Sequence, residues 1–356
     1  MLAALAFACS EDGGDASGDG AGTPDDGSAD APGPANPDST ARGPEAGSEG
    51  GDTLSGDGDA DATAVPDAGS PVYGTCDLAT RLGGFTVGLD EGAPDPADHF
   101  TTVGGEVRDG VVPADVPNVT MEEAGCRLLR PPELFCDPAC ESGDTCGAEG
   151  SCVAFPVGMS VGDVTLGGLS APVEITARPP SYRYFFAGDL PHPGFGPGDT
   201  VTLGAAGGDG EPFAIAVEGV APLEVPGPSV ALATDQPVVV RWTAADGSDA
   251  VGVEVELNIA NHGGTPARIL CEGDDSGELE LPLALTNALL ELGYSGFPSL
   301  RLTRQGAGKA ELAAGCIDFR VQSEFVFEVE IPGLTSCSTD QDCESPETCQ
   351  LDLTCG

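Results

Sequence analysis

Positive charge is scarce in this chain. Its thirteen basic residues include a single lysine, Lys309, and they face 59 carboxylates, for a net charge of −46 over 356 residues. A surface of that sign repels phosphate backbones and anionic headgroups, which excludes nucleic acid as a partner and makes cations the natural counter-ions. Long apolar runs are also missing. Nothing approaches the roughly 20 apolar residues of a membrane-spanning helix, so any membrane attachment must come from the N-terminus. Histidine is limited to His99, His192 and His262, far apart and each among turn residues ("DHF", "LPHPGFGPG", "ANHGG"). The chain has no G-x-S-x-G elbow, no phosphate loop, no H-E-x-x-H and no G-x-G-x-x-G between a strand and a helix. What remains for catalysis is a pair of carboxylates, and acids this abundant have no diagnostic value.

Gly, Pro and Cys are plentiful. Fifty-three glycines and thirty-one prolines supply close to a quarter of the chain, as in low-complexity segments or loop-rich β proteins. Thirteen cysteines beside three histidines point to an oxidising compartment and disulfides, and the odd count leaves one without a partner.

Along the chain, residues 1–9 read as the tail of a signal peptide. "MLAALAFA" is apolar and ends in small residues, but no base precedes it, so the true start is expected upstream. Residues 10–72 hold fifteen acids, one base (Arg42) and no aromatic residue. Such a composition buries too little apolar area to offset chain entropy and predicts a disordered acidic linker spanning about 45 Å. Asp57, Asp59 and Asp61 resemble half a calcium loop, but Ala62 and Ala68 stand where its glycine and closing glutamate belong.

Residues 73–135 predict a small β domain with strands at Gly84–Leu89, Phe100–Val112 and Cys126–Leu129, and Cys76 paired to Cys126. The segment 136–156 holds Cys136, Cys140, Cys146 and Cys152, and 334–356 holds Cys337, Cys343, Cys349 and Cys355. So few apolar residues separate these cysteines that cross-links must replace a core, which makes each quartet a minidomain. A zinc site is disfavoured because neither quartet has a C-x2-C knuckle or a histidine.

Between them, 157–333 alternates clearly. Val251, Val253, Val255, Leu257 and Ile259 share one face, as do Ile317, Phe319 and Val321, then Phe325, Phe327, Val329 and Ile331. Further strands fit 163–166, 173–177, 182–186, 200–203, 213–217, 238–243, 268–271, 278–281 and 300–303, with one helix at 283–292. Many short strands predict a mainly β protein with an antiparallel sandwich head, in which Trp242 is a core residue and Cys271 bridges Cys316. No cofactor is implied. Calcium is the one ion the acidic turns invite, at Asp274–Gly277 ("DDSG"), which reads more simply as a hairpin turn before "ELELP".

Taken together, the cysteine after "LAFA", the Asp/Gly/Ala linker, "RPPELFCDPACESGDTCGAEGSCV" and "RILCEGDDSGELELPLALTNAL" resemble the uncharacterised secreted lipoproteins numerous in myxobacteria and related high-GC Gram-negative bacteria. The resemblance implies that Cys9 becomes the first mature residue and carries the lipid, anchoring the chain in the envelope. Ser10 after it resembles the subset destined for the outer membrane. In this sequence Ala6 stands three residues before the cysteine, where the family places Leu, Val or Ile. Within each quartet three connectivities are open, and analogy with small secreted modules suggests first-to-third and second-to-fourth. The expected role is a lipid-anchored envelope protein whose head binds a protein, glycan or cation, or packs the surface layer. The rival is a secreted hydrolase using acidic residues on the sandwich. Carboxylates or histidines converging in a cleft favour the enzyme, and a flat, carboxylate-rich face favours the binder.

Overall fold

The computed structural model describes residues 75–93, 95–245, 251–259 and 266–356. Cys9, the 10–72 tract, the turn at Asp246-Gly247 and His262 lie outside the described residues. In chain order the strands are β1 (Arg81–Asp90), β2 (Phe100–Val107), β3 (Asn118–Glu123), β4 (Cys126–Arg130), β5 (Asp144–Cys146) and β6 (Cys152–Ala154). They continue as β7 (Val164–Gly167), β8 (Val173–Ile175), β9 (Tyr184–Phe185), β10 (Thr200–Ala205), β11 (Phe213–Glu218) and β12 (Ser229–Ala231). The last six are β13 (Val238–Arg241), β14 (Val251–Asn258), β15 (Arg268–Asp274), β16 (Glu278–Leu281), β17 (Ser299–Leu312) and β18 (Gly315–Glu330). One α-helix, α1 (Leu283–Leu290), follows β16.

The protein is mainly β, as its alternation predicts. A ten-stranded sheet runs β3-β4-β15-β14-β17-β18-β1-β2-β9, with β12 also paired to β18. Its inner face carries two hydrophobic cores. Over one half, the four-stranded sheet β11-β10-β7-β8 closes on Phe85, Val87, Leu89, Ile317, Phe319 and Val321. Over the other, the β13-β16 ribbon and α1 cover Val253, Val255, Leu257, Leu300 and Leu302.

The sheet corrects three expectations. Residues 73–135 do not form their own domain, because β1 lies parallel to β18 and β4 antiparallel to β15, which merges them with the later strands. The pairing is therefore not purely antiparallel, since β12 also runs parallel to β18. The turn at Asp274–Gly277 is no hairpin: β15 pairs with β14 and β4, whereas β16 pairs with β13 in another sheet.

Local sequence and packing diverge most on β17, where only 300–303 reads as a strand. Beyond it, "RQGAGKAEL" lacks β-branched residues. Its glycines explain the extension. A Cβ on Gly308 would lie 2.7 Å from Ile215 Cγ2, and one on Gly306 would lie 2.9 Å from the Glu218 carbonyl oxygen. Glycine here permits β11 to lie close against the hairpin, one of the few reasons for glycine inside a strand.

Between the two cores sits Arg304, only 1% exposed. Its Nε donates to Asp275 Oδ2 at 2.8 Å and Nη2 to Oδ1 at 3.2 Å. Nη1 donates to the carbonyls of Ala221 (3.1 Å) and Pro222 (3.0 Å), and Nη2 also to Thr243 (2.6 Å). All five guanidinium N–H groups are thereby used. Asp275 also accepts from Trp242 Nε1 at 2.6 Å, which makes Trp242 the core residue expected and satisfies its indole. Removing one partner of such a pair leaves an uncompensated buried charge and costs about 3–5 kcal/mol. Asp275→Ala is therefore expected to destabilise the protein by roughly that amount, whereas Arg241→Ala, which breaks a pair that is more than half exposed, should change stability little; urea denaturation checks both.

Candidate functional site

All twelve cysteines among the described residues are paired. In the quartets the bonds are Cys136–Cys146, Cys140–Cys152, Cys337–Cys349 and Cys343–Cys355, the first-to-third, second-to-fourth pattern. The other two bonds differ from expectation. Cys76 joins Cys316, and Cys126 joins Cys271. Strand order is the reason: β4 beside β15 sets Cys126 directly opposite Cys271, and Arg81 at the start of β1 lies opposite Cys316. Sulfurs tied in pairs offer no thiolate, so the quartets are cross-links and not zinc sites. Six disulfides place the chain in an oxidising, extracytoplasmic compartment. No helix among the described residues is long and apolar enough to cross a membrane.

The outer face of the ten-stranded sheet is polar and carries interleaved charge. Arg127 pairs with Glu272, Arg268 with Glu256 at 3.5 Å, and Arg301 with Glu324 at 3.3 Å. Glu254 lies directly opposite Glu272 on β15. Burial pushes its carboxyl above the usual range, Arg320 opposes that, and Glu272 and Glu256 add to it. Glu324 is also raised, again chiefly by burial. Two clefts of about 290 and 350 Å³ share Leu78, Arg81 and Asp115 as a common wall. Arg108 lines the first, and Arg130 and Arg268 the second. Four of thirteen bases gather there, on a protein otherwise dominated by acids.

A second polar group forms at the end of the β1–β2 hairpin. Asp90 lies opposite Phe100 in the antiparallel register, which puts Glu91 opposite His99 one step further on. Glu91 extends the inward face of Phe85, Val87 and Leu89, and its backbone N–H donates to the Glu324 backbone carbonyl at 3.0 Å. The Glu91 side chain is 6% exposed and lies 2.8 Å from His99 Nδ1 through Oε2 and 3.4 Å from His192 Nε2 through Oε1. His192 arrives on the connection between β9 and β10. Phe195 is buried in the first core, and a Cβ on Gly194 would lie 2.5 Å from Thr101 Cγ2, so glycine permits this approach. His99 and His192 are thus not the isolated loop histidines their sequence context suggests. The hairpin register could have revealed the Glu91–His99 pair. Nothing local to residue 192 signals its place there.

Compared with models of known protein families, the chain matches none. No curated protein matches it either.

Non-reducing peptide mapping is expected to recover Cys76–Cys316 and Cys126–Cys271 linkages, and a Cys76–Cys126 peptide would contradict the sheet order. The charged face carries a pH signature. A carboxyl raised in the folded state stabilises below its unfolded value, about 4.3 for glutamate, and that contribution is lost as pH rises through the folded value. Glu254→Gln should therefore stabilise the protein at pH 7, with a gain that shrinks as pH falls toward the unfolded value. Denaturation midpoints of both proteins across that range measure it.

Proposed function

We propose that this chain is a lipid-anchored envelope protein of the outer membrane or cell surface, whose disulfide-stapled β head is a binding module. One observation carries the reading. The twelve cysteines of the head are joined to one another, which leaves Cys9 as the one cysteine of thirteen outside those bonds. Cys9 follows an apolar run and precedes the acidic 10–72 tract, as a lipidated cysteine ahead of a tether does. Several acyl chains at one residue make attachment stable where a single chain is marginal. The binding role is supported by the outer sheet face, where carboxylates alternate with arginines beside the two arginine-lined clefts. A polar, charged surface of this kind suits a protein or glycan partner held by ion pairs and hydrogen bonds.

The rival reading, a secreted hydrolase, gains one point from the convergence of His99 and His192 on Glu91. A Cys9→Ser variant expressed with its native leader should lose all incorporation of radiolabelled palmitate and move from the membrane to the soluble fraction. Unchanged labelling would rule out the anchor.

A further inference from the structure

We propose that Glu91, His99 and His192 form a zinc-binding site in the head, a reading independent of the lipid anchor. The ring nitrogens not directed at Glu91 both have partners. His99 Nε2 lies 2.9 Å from the Ala93 carbonyl oxygen, which can only accept, so Nε2 carries a proton. His192 Nδ1 lies 3.3 Å from Thr101 Oγ1, whose own hydroxyl donates to the Pro191 carbonyl at 3.1 Å. Thr101 therefore accepts from Nδ1–H. In the neutral rings this leaves His99 Nδ1 and His192 Nε2 with lone pairs, both directed at the Glu91 carboxylate. Two lone pairs and an anion converge there, and Glu91 Oε1 is buried without a hydrogen bond. A cation among them relieves all three at once.

The surroundings match those of a metal site. One donor atom from each residue can be chosen so that all three lie within 4.8 Å of one another. A tetrahedral ion about 2.0–2.1 Å from its ligands holds them roughly 3.3 Å apart. Here His99 Nδ1 lies 2.8 Å from Glu91 Oε2 and His192 Nε2 lies 3.4 Å from Oε1, so each ring already sits near ligand spacing from one carboxylate oxygen. Metal-binding histidines almost always donate their other N–H to a carbonyl, carboxylate or water, which fixes the ring and its tautomer. The Ala93 carbonyl serves His99 in this way, and Thr101 takes the same part for His192.

The donor set selects the ion. Calcium and magnesium take oxygen ligands, whereas two imidazoles and one carboxylate suit zinc. Both rings are 16% exposed, so the site reaches solvent and a fourth ligand, water or a partner's donor group, has access. Calcium, the ion that composition alone invites, is not the one these residues favour.

The test uses the full oxidised chain and Zn²⁺ alone as probe, titrated against a chromophoric chelator with millimolar Ca²⁺ present to saturate the acidic tract. Wild type is expected to take up one Zn²⁺ at least 100-fold more tightly than the His99→Ala/His192→Ala variant, with circular dichroism confirming that both are folded. Thr101→Val, which removes the hydroxyl that links His192 Nδ1 to the Pro191 carbonyl and leaves all three ligands in place, should weaken binding by about 10–100-fold. X-ray absorption of the zinc-loaded wild type needs no variant, and it should report two imidazoles in the coordination shell. Affinities of wild type and double variant within threefold of each other, or a shell of oxygen ligands only, would overturn the site.

Discussion

The interaction on which the head depends is the one between Arg304 and Asp275. Every second residue of β17 faces inward, and along that face the sequence passes through both cores. Leu300 and Leu302 belong to one, Gly306 and Gly308 lie against β11 at the other, and Arg304 stands between them. Its guanidinium is satisfied only when the 221–222 segment, Thr243 and the turn holding Asp275 are all in place. A buried charge has no intermediate state of comfort, so this residue couples the two cores. Packing either half alone leaves its hydrogen bonds incomplete.

Much of this fold was legible in the sequence because the alternation is strong. Val253, Val255, Leu257 and Ile259 are buried in the order predicted, and so are Ile317, Phe319 and Val321. The helix after β16 also begins where its apolar run begins. Sheet order was not legible, because it is set by contacts some 240 residues apart, of which the Cys76–Cys316 bond is the covalent sign. Pairing cysteines by nearness in the sequence therefore gave the wrong partners for Cys76 and Cys126. Inside the quartets, where only short loops separate the cysteines, the pattern taken from small secreted modules held.

The candidate zinc site divides in the same way. Glu91 and His99 are joined by a hairpin, so fixing the register of β1 and β2 fixes their meeting. His192 comes from a long connection whose position follows from Phe195 in the core and from the small profile of Gly194 over Thr101. Three-dimensional closure creates that part of the site, and no residue type or spacing near 192 encodes it.

The bond between Cys76 and Cys316 gives the head a mechanical property. Cys76 precedes β1, and its backbone N–H also donates to the buried Asp318 at 2.6 Å. Tension arriving from the N-terminal side of Cys76 meets a covalent junction before it reaches β1. It passes directly into β18, which is hydrogen-bonded along its length to β17 and β1. The first strand need not be peeled away for the head to hold against a pull. Strain entering from the N-terminal side is thus passed into the middle of the largest sheet, not its edge.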